Sequence, residues 1–461
     1  MNSQRLSRRD FLRLSMLAAG GASLAGCDSN LLRLLKDDRP NFLIILTDDQ
    51  RADTMQFMPR TKARIFDEGV TFEHAYITTP LCGPSRRSVL TGMYAHTHGT
   101  FDNAEENFDD ETFIDHLADS GYFTGLVGKY ANTWKGEPRP EFDYWVSFKN
   151  GESRYTNPRL NVNGEWLRHQ GEYITDVFGR YAIDFIETAS GKNKPFCLFF
   201  APNAPHEPST PAEQDASSTL EMPEMPPSYN EADVSDKPNW LANAPLLNNV
   251  DAQNLEGFKR DQILTLISLD RVIDAILDRL AEKGLLDTTA VFFLSDNGKL
   301  WGEHRWTTKN SVYEEVTRVP FALRYPPLTM SIPVEERVIA NIDIAPTLYD
   351  LANISMPERV DGESLTGLFE TSDIPWREGI LIEGWPGRGD YSAYHTGNYV
   401  YVETVGDKSE FYDLKNDPYQ LNNMIDAPEY QELIEHMRTK LERLKQENIA
   451  PPGGSSDNET E

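Results

Sequence analysis

Pro80-Leu81-Cys82-Gly83-Pro84-Ser85-Arg86-Arg87-Ser88-Val89-Leu90-Thr91-Gly92 is the stretch around which the chain is organised. Leu81-Cys82-Gly83-Pro84 is turn chemistry, with Pro84 suited to the first helical position. Ser85 to Leu90 is then expected to form a helix that Gly92 ends. A side chain just ahead of such a helix meets free backbone N–H groups and the positive end of the helix dipole, which suits a group that binds an anion. A lone Cys in this position is more often a buried, inert core residue. The residues around Cys82, reading Cys-x-Pro-Ser-Arg-x-x-x-Leu-Thr-Gly, reverse that balance.

Outward from this stretch, the globular chain starts at Pro40. Asn41 to Thr47 is a continuous apolar run, suited to a strand buried on both faces of a parallel sheet, and it ends in Asp48-Asp49-Gln50. Val70 to Ile77 reads as a second strand and Tyr122 to Val127 as a third, ending in Gly128-Lys129-Tyr130. Pro195 to Ala201 is followed by Pro202-Asn203-Ala204-Pro205-His206, and Thr289 to Ser295 by Asp296-Asn297-Gly298. Helical spacing runs over Glu111–Ser120, Ile174–Ala189 and Leu255–Lys283. Residues 207–250 are rich in Pro, Ser, Asn and acids and read as a long irregular wall or lid. Alternating strands and helices predict an α/β fold with a large, mostly parallel sheet flanked by helices. Asp48, Asp49, Lys129, His206, Asp296 and Asn297 then all lie beyond the carboxyl ends of strands, the edge where open α/β sheets bind ligands. Asp48, Asp49, Asp296 and Asn297 offer only oxygen donors, which favour calcium or magnesium over zinc.

From about residue 376 the pattern changes. Short strands over 379–384, 391–396, 399–405 and 411–413, then an amphipathic helix over Glu429–Glu447, predict a small antiparallel C-terminal subdomain. The expected division is a catalytic domain over 40–375, this subdomain over 376–450 and a disordered tail over 451–461.

The length of 461 residues suits one large and one smaller unit. With 44 basic and 73 acidic residues the net charge is −29. No basic footprint for nucleic acid is supplied, and an anionic substrate must be attracted by a local cationic pocket rather than by the whole-protein field. Three cysteines make no disulfide framework. Cys197 sits within the apolar run 196–200 and reads as core. At the N-terminus, Ser7-Arg8-Arg9-Asp10-Phe11-Leu12-Arg13 resembles a twin-arginine export motif. Leu24-Ala25-Gly26-Cys27 resembles a bacterial lipobox. Residues 1–26 are therefore expected to be a lipoprotein signal peptide and 27–39 a tether from a lipidated Cys27. That implies the twin-arginine and lipoprotein-processing machinery as partners and a periplasmic or cell-surface location.

The Cys82 stretch resembles the signature of type I sulfatases, the formylglycine-dependent members of the alkaline phosphatase superfamily. The resemblance covers most of residues 40–370. It implies that Cys82 is oxidised to formylglycine by a maturation enzyme reading Cys82, Pro84 and Arg86. It also implies a divalent cation, usually calcium, on Asp48, Asp49, Asp296 and Asn297, with an oxygen of formylglycine at Cys82 or of sulfate completing the shell. Arg86, Lys129, His206 and Lys309 match positions that hold formylglycine or sulfate, His206 as the acid that protonates the departing alcohol. Many sulfatases read Gly-Lys-Trp-His where this chain has Gly128-Lys129-Tyr130-Ala131-Asn132, so Ala131 stands in place of that His. The form Gly-Lys-Tyr-x-Asn is similar to the N-acetylglucosamine-6-sulfatase and heparan 6-O-endosulfatase branch, as are the stretches from Phe142 and Asn161. The implied function is hydrolysis of sulfate esters on a sulfated carbohydrate such as 6-O-sulfated N-acetylglucosamine. The alternatives are an algal-polysaccharide sulfatase, a phosphomonoester or phosphonate hydrolase of the same superfamily, and a catalytically silent carbohydrate-binding lipoprotein.

Overall fold

The computed structural model describes residues 38–104, 110–329, 334–369, 374–387 and 389–447. The signal peptide, Cys27, nearly all of the tether and the tail lie outside the described residues. The strands, in chain order, are β1 (Asn41–Thr47), β2 (Val70–Phe72), β3 (Ala75–Tyr76), β4 (Phe123–Gly128), β5 (Tyr144–Ser147), β6 (Arg159–Val162), β7 (Glu165–Arg168) and β8 (Phe196–Ala201). They continue with β9 (Thr289–Ser295), β10 (Phe321–Arg324), β11 (Val334–Glu335), β12 (Ile339–Ala340), β13 (Ile380–Gly384), β14 (Tyr391–His395), β15 (Tyr399–Thr404) and β16 (Glu410–Asp413).

The apolar runs become the centre of a 10-stranded sheet ordered β11-β2-β10-β9-β1-β8-β4-β5-β6-β7. Its middle, β9-β1-β8-β4-β5, is wholly parallel, and antiparallel strands extend it on both sides. Side chains alternate between the two faces of a strand, which explains why these runs are apolar throughout. Leu43 and Ile45 of β1, Leu198 and Phe200 of β8 and Val291 and Phe293 of β9 enter one core, beneath the helices Ile174–Ser190 and Asn249–Glu282. Phe42, Ile44 and Leu46, with Cys197, Phe199, Phe292 and Leu294, enter the other, against the helices Cys82–Thr91, Phe113–Asp119 and Ile344–Ala352. Cys197 is thus a core residue, as expected.

Strands β13 to β16 form a separate antiparallel sheet in sequential order, and the helix Gln431–Gln446 packs on it through Ile434, Met437 and Leu441. The core of this sheet includes Tyr76, Tyr94, Leu300, Tyr313 and Val316 from earlier in the chain. Among the described residues no helix is long and apolar enough to cross a membrane.

Two local expectations change. The stretch 70–77 is two strands rather than one: β2 pairs with β10 and β11 in the large sheet, whereas β3 pairs with β12 outside it. The Glu73-His74 turn between them carries the chain off the large sheet. The signature helix begins at Cys82, not at Pro84, after Leu81 in an extended conformation. Pro84 at the third position costs nothing, because the first turn of a helix has no intrahelical acceptor for its N–H groups. Gly92, in the left-handed region at φ 74°, ends the helix as expected.

Candidate active site

Parallel pairing in register brings the ends of β9, β1, β8 and β4 together. Ser295 lies opposite Thr47 and Gly128 opposite Ala201, so the residues that follow these strands share one edge. The main chain continues the pairing past the strands: the Asp296 N–H donates to the Thr47 carbonyl at 3.0 Å and the Lys129 N–H to the Ala201 carbonyl at 2.7 Å. Gly128 makes this approach possible. At φ 125° any Cβ would lie 1.9 Å from the Ala201 oxygen.

Cys82 is the first residue of its helix and Arg86 follows one turn later on the same face. Asn103 Oδ1 accepts from the Gly83 N–H at 2.7 Å, satisfying one free donor of the helix start. The loop bearing Lys309 is tied in by the Asn310 N–H, which donates to the Pro80 carbonyl at 2.9 Å. His206 is fixed by its own N–H on the Asn203 carbonyl at 2.8 Å. Its carbonyl accepts from the Tyr155 hydroxyl at 2.8 Å.

All nine residues singled out in the sequence meet here. Cys82 Sγ lies 3.4 Å from Asp48 Oδ1 and 3.8 Å from Asp49 Oδ1, with Lys309 Nζ at 2.7 Å. Lys309 also donates to Asp49. Lys129 Nζ donates to Asp48 Oδ2 at 2.7 Å. Arg86 Nε donates to Asp296 Oδ2 at 2.8 Å, and its Nη2 lies 3.3 Å from Asp48 Oδ2. Asp49, at φ 62°, directs its N–H to Asp296 Oδ1 at 3.1 Å and receives Asn297 Nδ2 on Oδ1 at 2.6 Å. His206 Nε2 stands at the open side, 3.9 Å from Asp49 Oδ2.

Burial alone would raise the Asp48 carboxyl, but Lys129, His206, Arg86 and Lys309 outweigh it and hold Asp48 well below its ordinary value. Asp49 is lowered as well, chiefly by Lys309 working against burial. Cys82 goes the other way: burial, with Asp296 and Asp48 beside it, pushes the thiol up despite Lys129 and Lys309. A thiol held protonated is a poor nucleophile.

The donor set fits a hard cation. Ligand atoms of Asp48, Asp49, Cys82 and His206 lie within 4.8 Å of one another, and Asp296 and Asn297 join through Asp49. Asp49 Oδ2 and Asn297 Oδ1 are buried without a hydrogen-bond partner, oxygens that a cation would satisfy. Burial and the adjacent Asp48 charge push the Asp296 carboxyl up, an effect a divalent cation would reverse.

Two supporting residues were not singled out in the sequence. Asn341, fully buried, donates from Nδ2 to Ser85 Oγ at 3.1 Å. Its Oδ1 accepts from the Thr78 N–H at 3.0 Å, which pins the signature helix. Tyr155 is the other. Neither carries a local pattern, since the partners of Asn341 lie about 260 residues away. Ala131, half-buried, packs against the second core and lines a small cavity with Arg86, Arg87 and Asn132.

The family described as Sulfatase matches residues 40–354, and the one described as N-sulphoglucosamine sulphohydrolase, C-terminal, matches residues 302–447. The chain is 28% identical over 514 residues to the N-acetylglucosamine-6-O-sulfatase of Bacteroides thetaiotaomicron, covering 94% of this chain and 90% of that protein. It is 32% identical over 379 residues to the Extracellular sulfatase SULF-1 homolog of Drosophila melanogaster, covering 77% of this chain but only 34% of the length of that relative. A solved structure in complex with its substrate D-glucosamine-2-N,6-O-disulfate aligns with a TM-score of 0.77 at 26% identity, over 88% of this chain and 97% of that one. The chain belongs to the sulfatase family, as a type I member of the alkaline phosphatase superfamily.

Proposed function

We propose that the chain is a sulfatase that removes sulfate from a sulfated carbohydrate, with 6-O-sulfated N-acetylglucosamine or a related glycan as substrate. One observation carries this reading: Cys82 begins a helix and is enclosed by Lys309, Asp48 and Asp49. Its raised thiol suits a precursor rather than a working thiolate. When present, formylglycine at position 82 and a calcium ion on Asp48, Asp49, Asp296 and Asn297 supply the nucleophilic oxygen and its activation.

The chain's own side chains do the rest. Lys129, Lys309 and Arg86 offset the charge on the sulfuryl oxygens, from positions already fixed by their carboxylate partners. His206, at the open side of the site, gives a proton to the departing sugar oxygen. Alanine at position 131 supplies no base there, and Asn132 orients polar groups without taking a proton at neutral pH.

Cys82 and Arg86 are buried, so the maturation enzyme must read this segment before the chain folds. Export by the twin-arginine route, lipid attachment at Cys27 and the division at residues 375/376 belong to the same reading. The word extracellular in the name of the Drosophila relative supports an exported protein.

Three measurements test the proposal. The mass of the peptide containing Cys82 reports its oxidation to the aldehyde. Turnover of nitrophenyl sulfate against nitrophenyl phosphate separates a sulfatase from a phosphate-ester hydrolase. A panel of sulfated sugars then ranks N-acetylglucosamine 6-sulfate against algal saccharides. An unmodified Cys82 together with no turnover of either aryl ester would leave only a carbohydrate-binding role.

A further inference from the structure

The net charge of the chain is −29, yet an open cleft of about 540 Å³ is lined by Lys135, Lys149, Arg154, Arg159 and Arg168. Only Glu137 and Glu152 oppose them there. All five cations are exposed, and among the described residues none is held in an ion pair. Basic side chains in so acidic a protein would gain more from acidic neighbours than from one another. Their gathering without counter-ions therefore asks for a function.

The cleft adjoins the catalytic centre. Its floor is the segment between β5 and β6, and that segment touches two residues of the site. Gly151, at φ +67°, packs so closely that a Cβ would lie 2.7 Å from Asn132 Cα and 3.1 Å from Lys129 Cε. Tyr155, next to Arg154, holds the His206 carbonyl at 2.8 Å. On the far wall the Arg159 guanidinium lies 5.3 Å over the ring of Trp166, which gives that cation a fixed support. The volume suits a sugar-sized group. Guanidinium groups grip sulfate or carboxylate through paired N–H donors.

We propose that this cleft is a second anion subsite, holding another sulfate or carboxylate of the same glycan while the ester to be cleaved sits at Cys82. This rests on the sulfatase reading and narrows it: the substrate is an oligosaccharide with at least two anionic groups, not a singly sulfated monosaccharide. The overall negative field repels such a chain, and the cleft supplies the local attraction that lets it dock.

The test is Arg154→Ala combined with Arg168→Ala, two exposed positions outside the catalytic machinery. KM for a multiply sulfated heparin tetrasaccharide should rise about tenfold or more with kcat little changed, while kcat/KM for nitrophenyl sulfate stays as it was. A carboxyl-reduced and an N-desulfated tetrasaccharide identify which anion the cleft holds. Equal changes on tetrasaccharide and nitrophenyl sulfate, or no change on either, overturn the proposal. A direct binding arm uses the Cys82→Ala chain and the same tetrasaccharide, with and without the two Arg substitutions. If the wild type turns over no sulfate ester, the sulfatase reading falls while this arm still decides the cleft. Tetrasaccharide binding weakened by the Arg substitutions upholds it, and binding indifferent to them overturns it.

Discussion

Asp48, at the edge of the parallel sheet, and Glu410, in the C-terminal sheet, are both buried, but they are held in opposite directions. Asp48 has Lys129 Nζ at 2.7 Å and Arg86 at 3.3 Å, and these charges with His206 and Lys309 overcome burial and keep it ionised. Glu410 receives the hydroxyls of Tyr412 at 2.6 Å and Tyr313 at 3.0 Å. Burial pushes it up, the tyrosines and the Lys237 charge offset this only in part, and it stands at about 7. Lys237 directs its donors to the carbonyls of Gln420 and Leu421 and to Asp236 Oδ2 instead. In this pair equal burial gives a charged carboxylate beside four cations and a readily protonated one beside hydroxyls, whereas Asp296, with Arg86 on one side but the Asp48 charge on the other, is pushed up. The first arrangement suits anion chemistry and the second a packed interior.

The largest effect is expected at Cys82, which the charged region encloses. Cys82→Ala should reduce turnover to background while circular dichroism and the urea midpoint stay near wild type, because a small buried side chain is removed without unpairing a charge. Retained sulfatase activity would mean that the enclosure serves some purpose other than catalysis.

Next comes the pairing itself. Lys129→Met leaves Asp48 without its nearest cation and should cost about 3–5 kcal/mol in urea unfolding. Adding Asp48→Asn should recover part of that stability, because the double variant buries no unmatched charge there. If the single substitution costs no more than a surface ion pair, roughly 0–1 kcal/mol, then partners are not what holds Asp48 in its state.

His206 tests the open side of the same region. A general acid matters most when the leaving oxygen carries charge poorly, as a sugar hydroxyl does and nitrophenolate does not. His206→Ala should slow a sugar sulfate by about 10²–10⁴-fold and nitrophenyl sulfate much less. Equal losses on the two esters would assign His206 to sulfate binding instead.

The two regions also differ in how far the sequence revealed them. Asp48, Asp49, Lys129, His206, Asp296 and Asn297 were legible because each follows an apolar run, and parallel register carries the ends of such runs to one edge, whereas Cys82, Arg86 and Lys309 were reached only through the resemblance to the sulfatase signature. What escaped was long-range or short in span. The partners of Asn341 are far away in the chain. β6 and β7 are four residues each and open on an exposed charged residue, Arg159 and Glu165, so they lack a continuous apolar run, and β10 lies antiparallel between β2 and β9, a pairing no local pattern reports. The helix start at Cys82 was masked by Pro84, which fits more than one position of a first turn. In the C-terminal sheet the strands were legible from turns and alternation. The Glu410 environment was not, since Tyr313 reaches it from outside that sheet.

The smallest effect concerns Glu410, and its sign follows from the raised value. The folded state binds a proton at about 7, against an ordinary value of 4.5. Between those two values the folded chain carries more protons than the unfolded one, so stability falls as pH rises. The contribution is complete below about 4.5 and lost as pH passes about 7, with a total on the order of 3 kcal/mol. Asp48 acts in the other direction and in another window. Its stabilisation is present above the ordinary carboxylate range and is lost only in stronger acid, so the two do not overlap near neutrality. Glu410→Gln keeps an acceptor for the two tyrosine hydroxyls and removes the charge. Its amide N–H₂ needs new acceptors, which lowers stability by a similar amount at every pH. The informative quantity is therefore the difference in urea stability between about pH 5 and about pH 8, compared for variant and wild type. The wild type should lose more across that interval, and the substitution should flatten the loss. Parallel curves would show that the hydroxyls and the Lys237 charge keep Glu410 ionised throughout, and the contrast with Asp48 would then reduce to a difference in partners without a difference in charge.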